Sequence, residues 1–328
     1  MKTAICSLAL SLTAVMMLSC GPAGAPSQDI TIAVIPKGLT HEFWKSIHAG
    51  AIKAERELGV EIIWQGPEKE DDRQQQINVV VNMIVRGVSG IVLAPLDDKA
   101  LRGPVAEAAG KNIPVVIIDS GLDSDKHVSF VATDNRRGGE LAGEHMGKLL
   151  GPGGKVIVLR YQEGSASTHK REEGFIAAAK AAGLQIVSDE QYAGATPESA
   201  QNKADNLLLR FTEDGKLIVD GIFCPNESST TGMLRSLQQS GHVGKVKFIG
   251  FDASPPLVTG LRGGSIDALV VQNPMKMGYL GVKTMVAHLR GEKIEKLIDT
   301  GAELVTGSTM DTPPMRELLN PDLDKWLK

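Results

Sequence analysis

From Asp29 onward, short runs of β-branched and aliphatic residues alternate with helical stretches at intervals of roughly thirty residues. This alternation restricts the fold more than any other feature, because a strand, a crossover helix and a parallel strand close as a right-handed unit. Ile30–Pro36, Val60–Trp64, Gly90–Ala94, Val115–Asp119 and Val128–Ala132 form a first set of candidate strands. Lys155–Arg160, Gln185–Tyr192, Gly221–Cys224, Val246–Asp252 and Asp267–Gln272 form a second. Helices are expected over Glu42–Leu58, Gln74–Arg86, Lys99–Gly110, Arg137–Leu150, Arg171–Ala182 and Ser199–Phe211. Val115-Val116-Ile117-Ile118 is apolar on both faces, as a parallel strand buried between helix layers must be. Two sets of five strands in 328 residues predict an α/β protein of two doubly wound, parallel-sheet lobes.

The first 28 residues stand outside that pattern. Lys2 precedes an apolar stretch, Ile5 to Leu18, that falls short of the ~20 residues a membrane span needs. It ends in Met17-Leu18-Ser19-Cys20-Gly21, which resembles the bacterial lipobox, whose Cys is lipidated and becomes the new N-terminus; Met17 stands where Leu is preferred. Residues 1–20 are expected to be a lipoprotein signal peptide, with an ordinary secretory signal as the alternative, and 21–28 a flexible tether. Cys6 leaves with such a signal and Cys20 takes the lipid, so Cys224 alone remains in the folded part. One thiol forms no internal disulfide, and no partner spacing suggests zinc or another metal. With 35 Lys plus Arg against 39 Asp plus Glu, the chain offers no basic excess for nucleic acid.

In open α/β sheets, ligands bind beyond the carboxyl ends of the strands, so the residues that follow each run are the candidates for a site. Thr40-His41-Glu42-Phe43-Trp44 follows the first run, and Asp119 and Ser120 follow Val115–Ile118. In the second set, Arg171 comes after the loop Gly164–Thr168, Asn226 after Gly221–Cys224, and Asp252 and Gln272 close two strands. Carboxylates and amides accept from hydroxyls, Arg donates in a fork, and aromatic faces cover C–H surface. This set suits a neutral polyhydroxylated ligand. The whole chain holds 7 Phe, 3 Tyr and 3 Trp, so two adjacent rings at one rim position carry weight.

Each of these residues has a plainer alternative. Phe43 and Trp44 could pack between helix and sheet, although neighbours on a helix point ~100° apart. Asp119 and Asp252 could be N-caps of the next helix. Arg171 lies within the charged run from His169 to Glu173 and could be solvated. Asp134-Asn135 reads as ordering a lobe crossover rather than touching ligand. The common position at strand ends favours a site.

Catalytic signatures fail one by one. His41-Glu42 begins like a zinc-binding helix, but Lys45 stands where the second His is required. Neither a phosphate-cradling G-x-x-x-x-G-K-[ST] nor a strand-anchored G-x-G-x-x-G occurs, and Gly164-Ser165-Ala166-Ser167 lacks the glycine that completes a nucleophile elbow. A protein without enzymatic activity, cofactor or metal is expected.

Several segments together carry a family pattern: Ile30–Trp44, Pro114–Asp119, Thr133-Asp134-Asn135 with Gly138-Gly139, Arg171-Glu172-Glu173-Gly174-Phe175, Phe223–Asn226, Val246–Asp252 and Ala268–Gln272. From about Asp29 to Val305 the chain resembles the ribose-type periplasmic sugar-binding proteins, whose type I fold is shared with Lac-repressor-like effector domains. The resemblance implies two flavodoxin-like lobes, a three-segment hinge, and a ligand cleft that closes by hinge motion. It implies residues 29–133 plus 273–300 for the first lobe and 134–272 plus 301–328 for the second.

The resemblance also implies roles. Phe43 and Trp44 match the aromatic pair that sandwiches the sugar ring, and His41 takes a place usually held by Asn. Asp119 matches a carboxylate that grips hydroxyls, while Ser120 stands where Arg is common. Arg171 matches the far-lobe Arg, Asn226 an amide contact, Asp252 the second carboxylate and Gln272 a hinge-side amide, with Asp134 and Asn135 at the hinge. A far-lobe aromatic frequent in the family is absent around Ala195-Thr196-Pro197. Without that ring and the Arg, another pentose, a hexose or another polyol fits as well as ribose. The implied protein is an exported, lipid-tethered, monomeric receptor presenting its sugar to an ABC permease. The alternative is a sensor that docks on a kinase or chemoreceptor. A transcription regulator would need a DNA-binding domain where only the leader and tether lie.

Overall fold

The computed structural model describes residues 30–328; the expected signal peptide, the Cys20 lipidation site and the tether lie outside them. The first lobe opens with β1 (Thr31–Ile35), α1 (Glu42–Leu58), β2 (Glu61–Trp64), α2 (Arg73–Arg86), β3 (Gly90–Leu93), α3 (Arg102–Gly110), β4 (Val115–Ile118) and β5 (Ser129–Ala132). The chain then enters the second lobe through α4 (Asn135–Leu150), β6 (Lys155–Val158), α5 (Ala166–Ala181), β7 (Gln185–Ser188) and α6 (Pro197–Arg210). A small hairpin, β8 (Thr212–Glu213) and β9 (Lys216–Leu217), precedes β10 (Gly221–Phe223), α7 (Glu227–Gln239), β11 (Lys247–Phe251), α8 (Pro255–Arg262) and β12 (Ala268–Gln272). It returns to the first lobe as α9 (Pro274–Leu289) and β13 (Leu297–Asp299), re-enters the second as β14 (Ala302–Thr306), and ends in α10 (Pro313–Leu319) and α11 (Asp324–Leu327).

Each lobe is a six-stranded sheet between helix layers, ordered β13-β5-β4-β3-β1-β2 in the first and β14-β12-β11-β10-β6-β7 in the second. The central strands β3 and β4 are buried along their whole length, which is why they read as unbroken apolar runs. The sixth strand of each sheet departs from the expected sets of five. β13 adds parallel to β5 and β14 antiparallel to β12. Both are edge strands with exposed positions, Leu297 among them, so no continuous apolar run announces them. Two other boundaries shift. α5 begins at Ala166 rather than Arg171, and the expected strand over Gln185–Tyr192 ends at Ser188, leaving Tyr192 in an isolated bridge with Arg160.

The helix pairs α1–α9 and α4–α5 pack closely because glycine lines the contact. A Cβ at Gly139 of α4 would lie 1.9 Å from the carbonyl oxygen of Arg171 on α5, and one at Gly50 of α1 would lie 2.0 Å from that of Met275 on α9. The first of these contacts lies at the backbone of Arg171 itself.

The chain crosses between sheets near 133–134, 273 and 300–301, and the crossings are tied together. Asp299 Oδ1 accepts from the backbone N–H of Asp134 and of Gly301, at 3.1 and 2.9 Å, and Thr133 Oγ1 donates to the Gly301 carbonyl at 3.1 Å. The tail does not stay with the second lobe as the boundaries above assign it. Leu319 of α10 is buried in the core of the second lobe, but α11 lies on α1: Arg56 donates to the carbonyls of Lys325 and Trp326 and sits over the Trp326 ring. No helix among the described residues is long and apolar enough to cross a membrane.

Candidate functional site

The carboxyl ends of both sheets face a narrow cleft of about 30 Å³, lined from the first lobe by Lys37, His41, Phe43, Trp44, Glu70 and Asp119. Tyr161, Ser167, Thr168, Arg171, Asn226, Glu227, Asp252 and Gln272 line it from the other side. Two carboxylates are aimed by their backbones. Asp119 and Asp252 follow β4 and β11 with φ of 60° and 69°, a left-handed conformation that non-glycine residues seldom adopt and that Asp tolerates best. Neither caps the helix directly after it; both side chains turn into the cleft.

Arg171 is buried, not solvated. Its Nε donates to Asn135 Oδ1 at 2.7 Å, its Nη1 to the Pro225 carbonyl at 2.9 Å, and its guanidinium lies 4.1 Å from the centre of the Phe251 ring. Nη2 stands 4.0 Å from Asp119 and Nη1 3.9 Å from Asp252. These separations are too long for direct hydrogen bonds, so the groups attract one another while their hydrogen-bonding capacity toward each other stays unspent. Burial pulls the Arg171 pKa down against the opposing pull of Asp252 and Asp119, and burial pushes that of Asp252 up against Arg171. Asn135 completes the link: its Nδ2 donates to the Asp119 carbonyl across the lobe boundary at 3.2 Å. Asp134 beside it is exposed and caps α4 through the Arg137 N–H.

Glu70 anchors the opposite wall. One oxygen accepts from Trp44 Nε1 at 2.7 Å and faces His41 Nδ1 at 2.5 Å; the other accepts from Tyr161 Oη of the second lobe at 2.8 Å. Burial would raise its pKa, but His41, Lys37 and the Trp44 N–H hold it at about 2. For His41, burial pulls downward, and Glu70, with Glu227 and Asp252 behind it, raises the pKa to about 9. Burial and Glu70 together keep the Tyr161 hydroxyl protonated. The Phe43 and Trp44 rings meet edge to face, 5.0 Å apart, and both line the cleft while belonging to the core of the first lobe. Packing and site are here the same surface.

Lys37 lies between the lobes, 2.9 Å from Asp119 Oδ2 and donating to Ser167 Oγ at 3.0 Å. Glu227, at the start of α7, accepts from the backbone N–H groups of Glu42 and Phe43 at the start of α1. Burial raises its pKa to about 7, against the pull of His41 and the Phe43 N–H. Asn226 reaches the cleft, but its Oδ1 accepts from Ser229 N and Oγ, which commits the oxygen to capping α7. Gln272 donates to Asp252 Oδ1 at 2.7 Å.

Eight of the nine residues expected at the site line this cavity. Ser120 is the exception and a correction: fully buried behind the wall, its Oγ accepts from Ser167 N and so holds the start of α5 against the first lobe. Ala195-Thr196-Pro197 holds no aromatic, and Tyr161 supplies a second-lobe ring to the lining from a different loop. Lys37, Glu70, Tyr161, Ser167, Thr168 and Glu227 were not singled out from sequence. Lys37 and Tyr161 each sit just beyond a strand end, the signal that found Asp119; Glu70 lies in a longer loop and carries no such mark.

A model of the periplasmic binding protein domain matches residues 32–293. The chain belongs to the ribose-type periplasmic sugar-binding proteins. This binding protein is 30% identical over 298 residues to the ribose import binding protein of Escherichia coli, covering 91% of this chain and 97% of that one. Among solved structures, an ABC transporter solute binding protein from Agrobacterium vitis with bound D-fucose is 38% identical, with a TM-score of 0.84 over 88% of this chain and 100% of the other. A carbohydrate transporter solute binding protein from Agrobacterium radiobacter in complex with D-arabinose is 35% identical, with a TM-score of 0.84 over 90% of this chain and 100% of that one. The two-lobed fold and its cleft are thus those of proteins solved with sugars in place.

Proposed function

We propose that this binding protein captures a monosaccharide between its lobes and delivers it, closed, to an ABC importer. The observation that carries the reading is the spacing of Arg171 from Asp119 and Asp252. A cationic fork and two carboxylates, one from each lobe, surround a space that a hydroxyl completes by accepting from the fork and donating to a carboxylate. Phe43 and Trp44 cover the apolar face of the ring, and Lys37, Asn226 and Gln272 add polar contacts. The residues act in binding, with no catalytic role assigned. The solved relatives holding D-fucose and D-arabinose support a pentose or hexose, and the name of the Escherichia coli relative supports import over sensing.

Residues 29–133 with 273–300, and 134–272 with 301–320, move as the two bodies of a hinge at Asp134 and Asn135, with the tail beyond joining the first. The protein works as a monomer outside the cytoplasm, held at a membrane by lipid on Cys20; the Met17–Gly21 motif supports the anchor. Titration calorimetry against D-ribose, D-arabinose, D-fucose, D-galactose and D-allose tests the reading. At least one sugar binds with one-to-one stoichiometry; heat from none of them overturns it. Metabolic labelling with a radioactive fatty acid tests the anchor, which Cys20→Ser abolishes.

A further inference from the structure

We propose that Glu70 is a positioning residue for ligand recognition, which fixes His41 as a donor-only contact and so makes the cleft select a ligand with a hydroxyl between His41 and Gln272. The inference rests on the sugar-binding reading and adds to it a chemical requirement at one point of the ligand.

Two polar atoms of the cleft have no partner among the described residues: His41 Nε2 and Gln272 Oε1. Both residues are buried, His41 to 5% exposure and Gln272 to 1%, and both line the cavity. Their characters are opposite and each is fixed by a neighbour. Gln272 gives one of its two amide hydrogens to Asp252 Oδ1, and its Oε1 is left as an acceptor without a partner. His41 presents Nδ1 to Glu70 Oε1, and an imidazole that donates from Nδ1 to a carboxylate exposes Nε2. Glu70 is itself oriented by two hydrogen bonds, from the Trp44 indole on the same oxygen and the Tyr161 hydroxyl on the other.

The charge on the ring follows from what surrounds it. Glu70 faces it from the loop after β2, Glu227 from the start of α7 and Asp252 from the end of β11, while Lys37 stands near Glu70 and Arg171 near Asp252. The three carboxylates keep His41 an imidazolium through neutral pH, so Nε2 carries a hydrogen and cannot accept. A side-chain amide at this position could do either. One ligand hydroxyl, or two adjacent ones, satisfies both walls by accepting from His41 and donating to Gln272. A deoxy position satisfies neither and leaves two buried polar groups unpaired.

The test combines ring titration with calorimetry. In ¹H–¹⁵N spectra of the seven histidines, with His41 assigned by its loss in His41→Asn, the ligand-free wild type shows His41 doubly protonated at pH 7.5. Glu70→Gln shows it neutral at that pH. With whichever of D-ribose, D-arabinose or D-fucose binds, Glu70→Gln weakens affinity relative to wild type by roughly tenfold or more at pH 7.5, and the ratio narrows at pH 5.5 as the ring regains its proton. Wild-type affinity falls from pH 8 to pH 10, and that of His41→Asn does not. A neutral His41 in the wild type, or a Glu70→Gln ratio equal at the two pH values, overturns the proposal. Should Glu70→Gln not fold, the contrast between wild type and His41→Asn above pH 8 decides it alone. If no sugar binds at all, the sugar reading fails, while the spectra still settle whether Glu70 sets the charge of His41.

Discussion

Glu227 of the second lobe accepts a hydrogen bond from the backbone N–H of Phe43 in the first, at 3.1 Å, with the Glu42 N–H beside it at 3.3 Å. Helix α1 has no side-chain cap of its own, since His41 at the N-cap position makes no such bond. The opposite lobe therefore supplies the acceptor that the helix terminus needs, at the residue pair that covers the cleft. Glu70 does the reverse, reaching from the first lobe to the Tyr161 hydroxyl of the second. Each lobe closes the other with a carboxylate.

The Glu227 contact has a pH signature. Burial raises its pKa from 4.5 to about 7, so the closed protein holds a proton there that the unfolded chain releases. A raised carboxyl contributes stability at low pH that is lost as pH climbs from about 4.5 to about 7. Glu227→Gln keeps an oxygen for the Phe43 N–H and removes the titration. Thermal melts of the sugar-bound protein should show wild type losing ground to Glu227→Gln between pH 5 and pH 8. A constant difference across that range would mean the carboxyl titrates normally.

Gly139 offers a test of how the fold places the site. A methyl group there would meet the Arg171 carbonyl at 1.9 Å, backbone against backbone, so α4 and α5 must separate. Gly139→Ala should lose about 1–3 kcal/mol of stability or more and weaken sugar binding, because Arg171 moves with its helix. Gly103→Ala serves as the control: α3 is open at that position and alanine favours helix, so stability holds or rises by up to ~1 kcal/mol. Denaturant melts of the two variants compare them directly.

Legibility in the sequence followed burial. Val115–Ile118 and Gly90–Leu93 were readable as strands because both faces are apolar, whereas β13 and β14 lie at sheet edges and their mixed composition hides them. Asp119 and Asp252 were readable because strand ends define a rim, and Arg171 because it follows the loop that leaves such an end. What no local pattern held was the pairing of one lobe's residues with the other's. Ser120 sat at the right place in the chain and yet bonds Ser167 N behind the wall; Glu70 and Glu227 gain their roles only when the second lobe arrives. The tail misled for the same reason, since Arg56 draws α11 onto a helix far away in sequence.

Trp44 should report ligand capture. The chain has three Trp, and the other two lie elsewhere: Trp64 stacks on His48 with centroids 4.4 Å apart, and Trp326 sits over Arg56. Trp44 lines the cleft and donates to Glu70, so ligand changes both its contacts and its local field. In Trp64→Phe/Trp326→Phe protein, titration with a bound sugar should still change the emission, and in Trp44→Phe it should not. An unchanged signal in the double variant would place the ring away from the ligand.

Arg171 separates affinity from stability. Arg171→Ala removes the fork and should weaken sugar binding at least tenfold, a buried charged hydrogen bond being worth roughly 1.5–3 kcal/mol. It also strips Asp119 and Asp252 of a nearby cation, and the Asp252 carboxyl, already raised by burial, rises further. The folded state then carries a penalty for ionised carboxylates, so the loss of thermal stability should be larger at pH 8 than at pH 5. Arg171→Lys returns the charge without the planar fork that serves Asn135 and Pro225 together. It should recover much of the stability and little of the affinity. Unchanged affinity in Arg171→Ala, measured by calorimetry, would take the residue out of the site, and equal recovery of both properties by lysine would reduce its role to charge alone.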